Sequence, residues 1–147
     1  MELVLWRHAE AEEGADDAAR RLTAKGVRQA QRIAAWLDAR LSRDAMMIIS
    51  PAQRARETAQ ALSRKSIIQP LVNTGARAAD VLQAAGWPDG DGTVVVVGHQ
   101  PTLGAAAALA VTGTASAWRM GKGCVWWISS SSQRPPKVIA VITPDLV

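Results

Sequence analysis

The sequence has a single cysteine, no phenylalanine or tyrosine, and only two histidines among 147 residues. A lone Cys124 excludes an internal disulfide and points to a reducing compartment, the cytoplasm. It does not suit a cysteine-based phosphate loop either, because such a loop needs an arginine six positions after the thiol and that position is Ser130. Cys124 therefore reads as a packing residue. No apolar run approaches the roughly 20 residues of a membrane span, and the short start Leu3 to Trp6, closed by Arg7, reads as a strand rather than a leader. Basic blocks are missing too: the net charge of +4 is spread along the chain, which favours a small anionic group over nucleic acid as partner. With 48% apolar and 20% charged residues, the composition is that of one globular domain over residues 1–147.

Six tryptophans are the only aromatic side chains of the Phe, Tyr and Trp class. Base stacking beside basic residues is one use for them, but core packing is the better reading. Trp6 lies in a strand, Trp36 beside a core stripe, and adjacent Trp126 and Trp127 must face opposite sides of theirs. Trp87, in a loop, and Trp118, next to Arg119, stay undecided between packing and the rim of a site.

Strand and helix signals alternate. Glu2 to Trp6 predicts a buried strand, and Thr23 then stands as N-cap of a helix with core positions Val27, Ala30, Ala34, Leu37 and Leu41. Met46 to Ile49 predicts a second strand, followed by Ser50 and Pro51 as cap and first turn of a helix to about Leu62. A short strand is expected over 67–72, a helix over 76–85, and a loop from Trp87 to Gly92. Four valines, Val94 to Val97, predict a strand covered on both faces, with an Ala-rich helix from Pro101 to about Val111. Cys124 to Ser129 and Val138 to Ile142 read as strands separated by a surface loop, Ser130 to Pro136. The order implies an α/β fold, a three-layer α/β/α sandwich with a mostly parallel central sheet.

Both histidines directly follow an apolar strand, in Trp6-Arg7-His8 and Val97-Gly98-His99. Ligands of open parallel sheets bind outside the carboxyl ends of strands, so the two imidazoles are expected at one rim. Arg54 joins them: it sits in the first turn after Ser50-Pro51, and helical side chains lean toward the N-terminus. Free N–H groups there also favour an anion. Two imidazoles and a guanidinium at one rim describe a phosphate site.

Leu5-Trp6-Arg7-His8-Ala9-Glu10-Ala11 resembles the Arg-His-Gly signature of the histidine phosphatase superfamily, with Ala9 in place of glycine. Arg20-Arg21-Leu22-Thr23 with Gly26, Ser50-Pro51 through Arg54 and Thr58, and Val97-Gly98-His99-Gln100-Pro101 extend the resemblance to small SixA-type phosphohistidine phosphatases. The resemblance implies a phosphoglycerate-mutase-like fold and a phosphoryl-enzyme mechanism: His8 as nucleophile, with Arg7, Arg54 and His99 completing the catalytic pocket and Arg20 as a further substrate clamp. Residue chemistry agrees. Neutral imidazole is a competent nucleophile if a backbone carbonyl fixes its tautomer, and the planar forks of Arg7 and Arg54 match phosphoryl oxygens. No cofactor is expected, and His8, His99 and Glu10 are not read as a metal site, since the arginines already neutralise charge.

A general acid is harder to find. Val72-Asn73-Thr74-Gly75 offers no carboxylate, which leaves Glu10, Asp17 and Asp80 as candidates. The imidazole of phosphohistidine, with a conjugate acid near neutrality, leaves without the help an alkoxide needs. A short Arg54-to-His99 connection also leaves no room for a helical cap, and an open rim suits a histidine-phosphorylated protein as substrate. A small-molecule phosphomonoesterase and a noncatalytic phosphate or nucleic-acid binding module are the alternatives.

Overall fold

A computed structural model describes residues 1–147. Six strands form one sheet: β1 (Glu2–Arg7), β2 (Met46–Ile49), β3 (Lys65–Ile68), β4 (Thr93–Gly98), β5 (Val125–Ser131) and β6 (Arg134–Ile142). Four helices accompany them: α1 (Ala24–Asp38), α2 (Gln53–Gln60), α3 (Ala78–Ala85) and α4 (Thr102–Thr112). The strand order is β3-β2-β4-β1-β5-β6. β3, β2, β4 and β1 run parallel, and β5 and β6 add antiparallel to the β1 side. No helix is long and apolar enough to cross a membrane.

Because successive side chains of a strand point to opposite faces, the continuous apolar runs feed two cores at once. Val4, Trp6, Val95 and Val97 pack with Ile33, Leu37 and Ala55 on the α1/α2 side. Leu3, Leu5 and Val96 pack with Val81, Leu103 and Ala107 on the α3/α4 side. Helices thus cover both faces. The tryptophans follow the same rule: Trp127 enters the first core with Trp36 at its edge, while Trp126, Trp118 and Trp87 border the second. Cys124 is a free, buried member of the second core, and burial pushes its thiol upward.

Several boundaries differ from expectation. Val27 is 43% exposed, and the inward stripe of α1 is Ala30, Ile33, Ala34 and Leu37, with Leu41 buried beyond the helix end. The third strand spans Lys65–Ile68 rather than 67–72, because Pro70, with no N–H for a ladder, opens a 3-10 turn over Pro70–Val72. The segment 130–136 is mostly strand: β5 runs to Ser131 and β6 starts at Arg134, leaving a tight connection. Pro135 and Pro136 are tolerated because β6 is an edge strand. α2 begins at Gln53 after an Ala52 cap, so Ser50 is not its N-cap.

Gly26 is placed by a close approach. A Cβ there would lie 2.0 Å from the carbonyl oxygen of Glu10, so only glycine lets the start of α1 pack on the loop after His8. Thr23 caps that helix, accepting from the Gly26 N–H at 2.9 Å.

Candidate active site

Strand register brings the two histidines together. β1 and β4 are adjacent and parallel, with Arg7 paired to Gly98, so the next residue of each, His8 and His99, emerges at the same rim. Their ring centroids are 5.2 Å apart. β2 flanks β4 with Ile49 paired to Val97, which sets Ser50 beside His99. Arg54, the second residue of α2, points back to the same rim as its position near the helix start requires. His8, His99 and Arg54 are 8%, 3% and 3% exposed, so the rim is not open: the 3-10 turn Asp17–Ala19 lies over Arg54.

The His8 ring has a defined tautomer. Nδ1 is 2.8 Å from the carbonyl oxygen of Ala9 and can only donate to it, leaving the lone pair on Nε2. Arg54 Nε donates to that Nε2 at 3.3 Å. The Ala9 N–H donates to Thr58 Oγ1 at 3.0 Å, and the Thr58 hydroxyl donates to the Arg54 carbonyl at 2.7 Å. Thr58 thereby ties the loop after His8 to α2. Ala9 is accommodated in place of glycine because no non-glycine residue of the chain adopts a positive φ.

His99 sits in a second network. Its Nδ1 lies 3.4 Å from Arg54 Nη2, which can only donate, so Nε2 carries the proton and donates to Ser50 Oγ at 2.7 Å. Ser50 Oγ passes its own proton toward Asn73 Oδ1 at 3.4 Å and accepts from the Ala52 N–H at 3.2 Å. Sequence reasoning missed Ser50 and Asn73 as site residues; the one available signal was Ser50 standing directly after a strand, as both histidines do. Ser50→Ala is expected to destabilise the protein by about 1–3 kcal/mol, since a buried imidazole donor loses its acceptor. Urea unfolding measures this, and an unchanged midpoint would contradict the network.

Burial, then the neighbouring charge of Arg54 and Arg7, lowers His8 to about 4. Burial, His8 and Arg54 lower His99 to about 3. Both rings are neutral at pH 7. Arg7 donates from Nη1 to the Met120 carbonyl at 2.8 Å, while its buried Nε has no partner. Burial lowers its pKa, with Arg119 and Arg54 adding repulsion. Cationic groups thus converge on two neutral imidazoles, an arrangement prepared for an anion.

Arg20 is one step out. It donates to the Glu12 carbonyl at 2.7 Å and to Asp17 at 3.1 Å, and it reaches the site through Asp17 rather than by touching a histidine. Of the candidate acids, Glu10 accepts from the Thr23 hydroxyl at 3.0 Å and faces Lys25 at 3.8 Å, away from the imidazoles. Asp80 caps α3 against Arg77. Asp17 alone enters the site, 3.2 Å from Arg54, and the hydrogen bond from Arg20, then that from Arg54, holds its carboxyl below the usual range.

A strand-end histidine pair clasped by arginine at the carboxyl edge of an α/β sheet is an arrangement suited to a phosphoryl group, and similarity to known proteins agrees. The family model of the histidine phosphatase superfamily (branch 1) matches residues 3–74, and the chain is similar to that superfamily. The match carries Arg7, His8 and Arg54; His99 lies beyond it and is placed by the fold. A protein from Nakamurella multipartitia assigned as the phosphohistidine phosphatase SixA is 27% identical, with a TM-score of 0.81 over 97% of this chain and 95% of that one. A protein histidine phosphatase SixA complexed with tungstate has a TM-score of 0.82 at 19% identity, covering 99% of both chains. A protein from Escherichia coli assigned as an alpha-ribazole-5'-P phosphatase has a TM-score of 0.69 at 22% identity, covering 98% of both. The fold is the phosphoglycerate-mutase-like one. No curated protein matches the sequence.

Proposed function

We propose that this chain is a phosphohistidine phosphatase acting on histidine-phosphorylated protein, through a phospho-His8 intermediate and without a metal. The observation that carries this is the His8 tautomer: Nδ1 is tied to the Ala9 carbonyl, so Nε2 presents its lone pair at the arginine. Nε2 attacks phosphorus as the bond to the substrate imidazole breaks, and the substrate histidine, already protonated on its other ring nitrogen, departs as neutral imidazole with the electron pair of the broken bond. Arg54 and Arg7 take the charge of the transferring oxygens. As the phosphoryl dianion enters, its charge favours a second proton on His99, taken up from solvent, and Nδ1 then donates it in a hydrogen bond to a phosphoryl oxygen. Water finally attacks phosphorus, which restores His8 and releases phosphate.

Support for phosphohistidine over an ester comes from the carboxylates. Glu10 and Asp80 are engaged elsewhere, and Asp17 is held ionised by two arginines, so none is prepared to protonate an alkoxide. α3 contributes to the second core instead of forming a cap over the site, so the cover over Arg54 comes from the exposed Asp17–Ala19 turn. The similarity to the Nakamurella protein points the same way. Turnover of a phosphohistidine peptide is expected to exceed that of phosphoserine peptide and sugar phosphates, and to persist in excess chelator. Equal rates on all three substrates would remove the preference. Activity lost in chelator and restored by a divalent ion would overturn the metal-free mechanism.

A further inference from the structure

A guanidinium has five N–H donors, and Arg54 directs its own to four internal acceptors before any substrate arrives. Two of these belong to Asp17: its carbonyl oxygen takes Nη1 at 2.7 Å and its carboxylate takes Nη2 at 3.2 Å. A pair of oxygens spanning both terminal nitrogens is how a guanidinium holds a carboxylate or phosphoryl group. Asp17 therefore stands in for the oxygens of a substrate. Nη2, the nitrogen its carboxylate takes, is also the one beside His99, so the occupied edge faces the reacting centre.

Given the reading of this site as a phosphoryl clamp, we infer that the Asp17–Ala19 turn is a latch on it. Asp17 fills the clamp as an internal anion, and an incoming phosphoryl group must displace it. The turn is built for that exchange. The Asp17 side chain is 57% exposed while that of Arg54 is 4% exposed, so the carboxylate swings outward without disturbing a core. Arg20 already holds it from the other side at 3.1 Å and keeps it paired once it leaves. Backbone bonds within the turn are few and long, Ala19 N–H to Asp16 at 3.2 Å and Arg20 N–H to Asp17 at 3.3 Å. Asp17 is thus a positioning residue that holds down affinity for free phosphate and favours its release, and a substrate with contacts beyond the phosphoryl group is the one that opens the latch.

Calorimetric titration with inorganic phosphate, and separately with tungstate, tests this on the full chain. Asp17→Asn and Asp17→Ala are expected to tighten both anions roughly two- to fivefold, the value of a partly exposed ion pair turned into affinity. The charge-retaining Asp17→Glu should stay nearer the wild-type value. The inhibition constant of phosphate against peptide turnover should fall in the same order. Unchanged or weaker anion binding by both Asp17→Asn and Asp17→Ala would overturn the latch. Equal binding by wild type and Arg54→Ala would instead refute the phosphoryl clamp beneath it.

Discussion

His8→Ala should reduce turnover of a phosphohistidine peptide by on the order of 10⁴- to 10⁶-fold, the scale on which removing a covalent nucleophile acts. Arg7, Arg54 and His99 remain in the variant and still bind and polarise the phosphoryl group, but they hold no atom for phosphorus to bond. The fold should survive, because His8 sits at the rim after β1 and its ring makes hydrogen bonds only to the Ala9 carbonyl and Arg54. Circular dichroism checks the fold and steady-state kinetics the rate. Activity within tenfold of wild type in folded protein would assign the nucleophile elsewhere, with His99 the first residue to examine.

Arg54→Lys fails in a different way. Lysine keeps the positive charge but loses the planar fork, so it cannot touch His8, His99 and the transferring oxygens together. The expected loss is about 3–4 kcal/mol of transition-state stabilisation, by analogy with deleting one preorganised donor, or roughly 100- to 1000-fold in rate. The phosphoenzyme should still form, slowly. Arg54 is 3% exposed and its Nη1 anchors the Asp17 carbonyl at 2.7 Å, so the turn should loosen as well. Single-turnover rates for the two proteins measure the effect, and a change below fivefold would show that charge alone suffices at this position.

The parts of the site that sequence could reveal are those placed by strands. His8 and His99 could be paired from sequence because each follows an unbroken apolar run, and such runs in an alternating α/β chain give parallel strands whose ends share a rim. Arg54 followed from its distance past Ser50-Pro51. Even so, Ser50 serves His99 rather than capping α2, because the helix starts two residues past Pro51 and frees the hydroxyl. The segment from Glu12 to Arg21 carries no periodicity, so nothing local announces that it folds over Arg54 or that Asp17, one of three candidate carboxylates, is the one that enters. Contacts of this kind depend on a tertiary meeting between a loop and a helix. Val27 falls outside the core for a simpler reason: the inward face of α1 is centred on Ile33 and Leu37, which places Val27 at the helix edge. The valines of β4 are legible because a strand buried on both faces tolerates no polar position, whereas the edge strand β6 accepts Pro135 and Pro136, which disguise its first residues as loop.

In the proposed mechanism, phosphorus bonds to Nε2 of His8. Rapid-quench mixing of wild-type protein with a phosphohistidine peptide, followed by alkaline digestion and mass mapping, tests it directly. The expected result is one acid-labile phosphate on the peptide containing His8, forming within a single turnover and decaying as inorganic phosphate appears, with ³¹P NMR assigning it to Nε2. Phosphate found on His99, or hydrolysis proceeding through a turnover with no phosphoenzyme at any time point, would contradict it.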